Sequence, residues 1–378
     1  MADVLTRITY GFTNPMPTAA DGPYMVTAKD IRGGRIDYDS ARRTTWDAYR
    51  NKLTDKSRPR VGDVLLTKDG SIGRVAVCDA PVLCINQSVA LLQLNNLVVP
   101  SFLAYLLQAP VYQAQMEADS DGSTIRHIYI TRVDKMEISI PEPPEQRAIV
   151  DVLSALDDKM AANEHVRVCA DELSRVQWRE ATAVRDLVPL SQIADFVNGR
   201  AFTKGATGTG RIVVRIAELN SGIGSSTVYN DIDVPEAHLA RPGDLLFAWS
   251  GSLTVARWYR PEAIVNQHIF KVIPKPGQPM WLVNQAVRSK LADFKAIASD
   301  KATTMGHIQR RHLDEPVRIP SKEFVKRLDA TMAPLWSMSL AAEIENLHLM
   351  RTRDELLPLL MSGRISVKAA EEVVGGVT

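Results

Sequence analysis

Two histidines, His127 and His307, stand at matching places in the chain, each followed by isoleucine. Histidine is the usual candidate for proton transfer near neutral pH. No carboxylate or nucleophile recurs beside either one, so the pair reads as hydrogen-bonding or phosphate-contacting groups rather than an acid–base device. Residues 205–211, GATGTGR, invite a phosphate-loop reading. It fails because Arg211 and Ile212 stand where a lysine and a magnesium-binding hydroxyl residue are needed. No GxGxxG run opens a helix, no zinc-ligand spacing occurs, and neither a GxSxG elbow nor a [DN]PP[FY] tetrapeptide is present. Two amide pairs remain, Asn86-Gln87 and Asn266-Gln267. Such an amide can pair bidentately with adenine. Because the pair is the same in both places, it reads better as a buried amide holding a neighbouring loop.

These residues belong to a pattern written twice. RVGDVLLTKDGSI at 60–72 answers RPGDLLFAWSGSL at 241–253, an offset of 181. CINQSVALLQL at 84–94 answers IVNQHIFKVIP at 264–274, and a helical segment follows a proline in both halves, from Pro100 and from Pro279. GSTIRHI and ATTMGHI then share Thr124/Thr304 and His127/His307, and each half runs through a short apolar strand into proline. The chain is a tandem duplication. Gly62-Asp63 and Gly243-Asp244 read as tight turns launching a strand.

Each half ends in a long helix. After Pro143-Pro144, with Glu145 in the first turn, no Gly or Pro occurs until about Ala183. Ile149, Leu153, Leu156 and Met160, then Val166, Ala170 and Leu173, give heptad spacing with a skip near Asn163. The second helix, from about Ser321 to Gly363, carries Leu328, Met332, Leu335, Ile344 and Leu347, with a kink or late start expected at Pro334. Roughly 38 residues make a helix of about 57 Å, too long to bury its stripe on a small domain. Two such helices can bury theirs on each other. The expected fold is α+β: two similar mixed α/β domains separated by a pair of long antiparallel helices, a coiled coil, with an internal pseudo-two-fold repeat. The expected boundaries are 1–142 and 187–320 for the domains, 143–186 and 321–363 for the helices, and 364–378 for a tail.

Composition sets bounds. Hydrophobic residues make up 45% and charged residues 24%, ordinary for a soluble globular chain, and no segment or leader suggests membrane or secretion. Cys78, Cys84 and Cys169 form no metal-spaced pair, which fits a reducing cytoplasm. A net charge of +1 does not advertise nucleic-acid binding, yet residues 42–60 hold seven Lys and Arg against Asp47 and Asp55.

The Arg-x-Gly-Asp block, the Asn-Gln dipeptide, the His-Ile element, the strand ending in proline before a long helix, and the terminal LLPLLMSGRI resemble the specificity subunits of type I restriction–modification enzymes. The resemblance covers nearly the whole chain, in both halves. It implies two target-recognition domains that read double-stranded DNA, and helices that dock adenine-N6 methyltransferase subunits, two of them, with a restriction subunit as a further partner. It implies a cytoplasmic, non-catalytic subunit with no cofactor of its own, S-adenosylmethionine being expected on the methyltransferase. The domain starts almost at Met1, so its edge strand is expected to be trimmed.

On that reading, direct readout needs polar groups at base edges and phosphates need cations or hydroxyls. Loop tips that differ between the halves are the expected readers: Lys68 and Ser71 against Trp249, Ser250 and Ser252, and Ser88 against His268. Arg74, Arg257, Arg126, His127, His307 and Arg310 are expected at phosphates, with Lys204 and Arg215 lining the approach. Ile149, Leu153, Leu156, Met160, Leu328, Met332, Leu335 and Ile344 are assigned to the helix and subunit interface. The competing readings are a related multi-subunit system of type IIB kind, an unrecognised nucleic-acid enzyme, and a helical scaffold that binds protein.

Overall fold

The computed structural model describes residues 1–80, 82–122, 126–182, 185–299 and 306–376. Thr124 and Thr304 lie outside them. The chain divides into two compact units, residues 1–158 with 349–378, and residues 159–348.

In the first unit, β1 (Leu5–Tyr10), β4 (Val64–Thr67), β5 (Val75–Val77) and β7 (Val89–Leu94) form an antiparallel sheet in the order β1-β7-β4-β5. β2 (Ala19–Val26), β3 (Arg42–Arg43) and β6 (Leu83–Ile85) form a second sheet in which β2 and β6 run parallel. Val64 to Thr67 are buried on both faces, as expected of an interior strand covered above and below. Ile85, Leu65, Leu91 and Val26 pack in the core between the sheets. α1 (Pro100–Gln108) and α2 (Pro110–Ala118) each begin on proline, whose fixed φ and missing N–H suit a first helical position.

The second unit repeats the plan. β9 (Ala194–Asn198), β13 (Leu245–Ala248), β14 (Thr254–Arg257) and β16 (Ile269–Pro274) pair in the order β9-β16-β13-β14. β10 (Arg211–Val214), β11 (Val228–Asn230), β12 (Leu239–Ala240) and β15 (Ala263–Val265) form the companion sheet, with β10 and β15 parallel. α4 (Met280–Ser299) packs Phe294 against Phe247 with ring centroids 5.7 Å apart. This unit also has a two-stranded ladder of β8 (Arg185–Pro189) and β17 (Pro316–Pro320). The first unit forms no strand at the corresponding EISIP, residues 137–141.

The duplicated Arg-x-Gly-Asp block is a turn, as its sequence predicts. Gly62 and Gly243 have φ of +93° and +96°, open to glycine without a Cβ penalty. The Asp63 carboxylate accepts from the Arg60 backbone N–H at 2.8 Å and Asp244 accepts from that of Arg241 at 2.7 Å. Gly11 and Gly199 have a different cause: a Cβ there would stand 1.8 Å from the Ile85 carbonyl oxygen and 2.1 Å from that of Asn266.

Two long helices complete the chain, α3 (Pro143–Ala181) and α5 (Lys322–Met361), followed by α6 (Val367–Gly375). In the second unit they run antiparallel: Asn346 donates to the Met160 carbonyl at 3.1 Å, Asn163 to Glu345 at 2.8 Å, Ser339 to Asp171 at 3.0 Å and Thr331 to Gln177 at 3.0 Å. In the first unit Arg353 pairs with Asp157 at 2.9 Å. Gln146, wholly buried, fastens the start of α3 by accepting from the Val99 N–H and donating to the Leu97 and Pro141 carbonyls. Ile149, Leu153, Leu156 and Met332 are buried, while Met160, Leu328, Leu335 and Ile344 are half-buried. Pro334 does not delay α5, which starts at Lys322; its ring is exposed, so the missing N–H lies where water can solvate the freed carbonyl. Val166 and Leu173, expected in the helix seam, are exposed instead, because Asn163, Ala170, Ser174 and Trp178 form the buried face. Among the described residues no helix is long and apolar enough to cross a membrane.

Candidate nucleic-acid interface

Three segments far apart in sequence meet at the loop end of the first unit: the β4–β5 loop, the β6–β7 turn and the His-Ile element. Backbone bonds join them. The Lys68 N–H donates to Ser88 O at 2.9 Å, Ile128 N–H to Lys68 O at 2.9 Å, and Gly70 N–H to Arg126 O at 2.9 Å. The second unit makes the same three bonds. Trp249 N–H donates to His268 O at 3.1 Å, Ile308 N–H to Trp249 O at 3.1 Å, and Gly251 N–H to Gly306 O at 2.9 Å. The duplicated sequence therefore builds one scaffold twice and hangs different side chains on it.

The asparagines are part of that scaffold. Asn86 accepts from the Ser88 hydroxyl and N–H at 2.6 and 3.1 Å, and Asn266 accepts from the Phe202 N–H at 3.1 Å. The adjoining Gln87 and Gln267 are exposed at the turn. Sequence reasoning grouped each amide pair as one structural unit and so missed the glutamines. The strand period of two, which sends neighbouring side chains to opposite faces, was the signal.

In the first unit the Lys68 ammonium is buried, 3.0 Å from an Asp69 carboxylate oxygen and 5.3 Å from the centre of the Tyr10 ring. Asp69 also bonds the His127 ring at Nδ1, and that ring meets Tyr129 edge-on at 4.6 Å. Lys68 is thus corrected from a presented reader to a buried support of the loop. Ser88 Oγ accepts from the Ala28 N–H at 2.9 Å, which leaves it half-buried. Ser71 and Arg74 are exposed, Arg74 also reaching the Ile31 carbonyl at 3.4 Å, and Arg126 is exposed but paired with Glu117 at 2.5 Å. A cleft of about 750 Å³ opens beside them, lined by Lys29, Arg32, Arg42, Asp69, Ser71 and Ser88 among others. Lys29, Arg32 and the acid Asp30 come from a segment with no duplicated motif to single it out.

In the second unit the corresponding place is aromatic. Trp249 lies 5.7 Å from Phe270 in a stacked arrangement and 5.2 Å from the His268 ring, and its indole N–H donates to Asn198 at 2.8 Å. His268 is exposed at φ +71°, the only positive φ outside glycine among the described residues. Histidine tolerates that region better than most residues, and such outliers gather at functional sites. His307 is half-buried, 6.3 Å from Trp249. Ser252 and Lys204 are exposed; Arg310 is exposed and reaches the Phe196 carbonyl at 3.3 Å. A cleft of about 820 Å³ takes in Ser252, Thr254, Lys295 and Ser299.

Three further expected contacts in the second unit are corrected. Ser250 is buried behind the loop. Arg215 is committed to Glu218 at 2.6 Å and to the Ser226 carbonyl at 2.6 Å. Burial opposes ionisation of Glu218, and bonds from the Arg215 side chain and backbone overcome it, holding that carboxyl below its ordinary range. Arg257 is buried at the strand end away from the loop, its Nε 2.7 Å from Glu343 on α5 and its guanidinium 4.6 Å from the Trp336 ring centre. It ties the sheet to the helices.

The family described as the type I restriction modification DNA specificity domain matches residues 19–168. Over 116 residues the chain is 34% identical to the type I restriction enzyme MjaIX specificity subunit of Methanocaldococcus jannaschii, covering 30% of this chain and 27% of that protein. Over 144 residues it is 25% identical to the EcoBI specificity subunit of Escherichia coli, covering 37% of this chain and 30% of that protein. The matched stretches thus span under a third of either curated relative. The crystal structure of a type I restriction–modification S subunit from M. genitalium shares the fold, with a TM-score of 0.63 at 17% identity over 95% of this chain and 94% of that one.

Proposed function

We propose that the chain is a specificity subunit of a type I restriction–modification system, as the family match, the curated relatives and the shared fold support, and that it reads an asymmetric, bipartite DNA target, one half-site per unit, without catalysing a reaction itself. The observation that carries this is the identical three-bond scaffold bearing unlike side chains at matching tips: Ser88 in one unit against His268 in the other, and buried Lys68 where the other carries Trp249. A reader of one symmetric sequence would repeat its tips along with its frame. Arg74, Lys204, Arg310 and the cations around the first cleft serve the phosphates, where charge fixes register without sequence information.

The long helices take the partners. Val166, Cys169, Leu173 and Val176 follow a three–four–three spacing on α3 and are all exposed, an apolar stripe along one helix face. That stripe docks an adenine-N6 methyltransferase subunit, which binds S-adenosylmethionine; a second methyltransferase and a restriction subunit complete the assembly.

A strand-resolved adenine methylome of the host, with the gene intact and deleted, tests the reading. Loss of one bipartite motif methylated once on each strand is expected. An unchanged methylome from a strain in which this chain and its methyltransferase are expressed would overturn it.

A further inference from the structure

The exposed stripe on α3 runs into a recess in the same unit. A cleft of about 630 Å³ between α3 and α4 is lined by Arg175, Arg179 and Arg288, by Val176 and Trp178, and by one acid, Glu172. Trp178 is buried and forms an apolar floor, and the three arginines are exposed around it. Arg175 and Arg179 sit four residues apart on one helix face, where like charges repel. Arg175 Nε reaches only the Asp171 backbone carbonyl, at 3.3 Å, and Arg288 Nε only the Asn284 side-chain oxygen, at 2.8 Å. Among the described residues none of the three has a carboxylate within ion-pairing distance. Other arginines of this unit do have one: Arg167 on α3 pairs with Glu164 at 2.6 Å and Asp171 at 3.1 Å, and Arg257 at the end of β14 pairs with Glu343 at 2.7 Å. Desolvation in the recess holds the Arg288 guanidinium below its ordinary value; Asp171 opposes this, and the like charges of Arg257 and Arg175 add to it.

We propose that this cleft receives an aspartate or glutamate side chain from an amphipathic helix of the methyltransferase partner, whose apolar face lies along Val166, Cys169, Leu173 and Val176. The inference rests on the docking role given to that stripe above. Guanidinium groups match carboxylates bidentately, and a recess with an apolar floor raises the worth of each such bond by excluding water. The apolar floor and the contiguous stripe favour a protein side chain over DNA phosphate, which binds best on a wholly polar surface. The carboxylate also sets the register of the partner helix, since an apolar stripe alone allows sliding by a heptad.

The test measures binding of the full chain to its purified methyltransferase subunit at about 0.1 and about 0.4 M salt. The unaltered chain is compared with Arg175→Glu/Arg179→Glu and with Leu173→Asp, all exposed positions, and circular dichroism verifies folding. The arginine double variant is expected to weaken the complex about tenfold or more at low salt and to flatten its salt dependence. Loss of the complex with Leu173→Asp but unchanged affinity and salt dependence with the arginine variant would overturn the cleft and leave docking on α3 standing. Normal binding by both variants would remove the docking reading and the cleft with it. Intact assembly with weakened DNA binding by the arginine variant would assign the cleft to phosphate and overturn the proposal.

Discussion

Replacing Arg257 by methionine tests the energetics of the second unit and the correction to that residue's role together. The Arg257 and Glu343 side chains are 5% and 15% exposed, so solvent screens their pair little. Removing one member of a buried pair costs about 3–5 kcal/mol, because the other charge is left desolvated. Asp171, 3.6 Å from Arg257, is separately held by Arg167 at 3.1 Å, so Glu343 bears most of the loss. Burial already raises the Glu343 carboxyl above its ordinary range, with Arg257 pulling the other way. An acid whose folded value is raised binds its proton more tightly folded than unfolded. Stability then falls as pH climbs through and above the ordinary carboxylate value. The cost of Arg257→Met is therefore largest near neutrality and shrinks on acidification as Glu343 takes up a proton. Adding Glu343→Leu should return stability to the starting level or exceed it by about 1–4 kcal/mol. Urea unfolding followed by tryptophan fluorescence is well suited, because Trp178, Trp249, Trp258, Trp281 and Trp336 all lie in this unit and only Trp46 in the other. The salt slope of DNA binding by the assembled complex should stay unchanged, whereas loss of a phosphate contact would lower it by about 0.9. A single-variant cost under about 1 kcal/mol, the range of exposed pairs, or a cost that grows on acidification, would refute the buried-tether reasoning.

The remaining predictions concern the loops and their supports. Gly11→Ala and Gly199→Ala should each disturb one unit's turn, since the new Cβ meets a backbone carbonyl; hydrogen exchange at 85–88 or 265–268 reads this, and an unperturbed turn would contradict the close approach. Trp249→Ala or His268→Ala should change methylation at one half-site only, read from the methylome, and loss of both halves would break the assignment of one unit per half. His238 is buried, its Nδ1 has no hydrogen-bond partner, and burial followed by the charge of Arg200 lowers its pKa. Its native state binds fewer protons, so it destabilises the fold as pH falls from about 6.5 through its lowered value. His238→Gln should flatten that part of the stability–pH curve, and an unchanged curve would mean the ring is solvated.

What could be read in advance was what depends on backbone need. Gly62, Gly243, Asp63 and Asp244 announce their turn because glycine takes a positive φ at no steric cost and a short carboxylate reaches back three residues. Charged side chains were less legible, because their fate hangs on distant partners. Lys68 looked presented until His127, 59 positions away, closed over Asp69. Arg74 and Arg257 looked equivalent until strand register set them apart: Val64 pairs with Val77 and Leu245 with Arg257, which puts Arg257 at the far end of its hairpin. The heptad of α3 is the most instructive case. Its apolar spacing was read as the seam with α5, but that seam is built from Asn163, Ala170, Ser174 and Trp178, with Asp171 bonding Ser339 across it. Asn163, Ala170 and Ser174 suffice there beside Trp178, because bonds across the pair fix its register. Val166, Leu173 and Val176 then remain outside, at about 25 cal/mol of unrealised burial for each Å² they expose. A periodic stripe that the fold does not use is an unfavourable surface for a lone chain, and its spacing suits a helix that another subunit supplies.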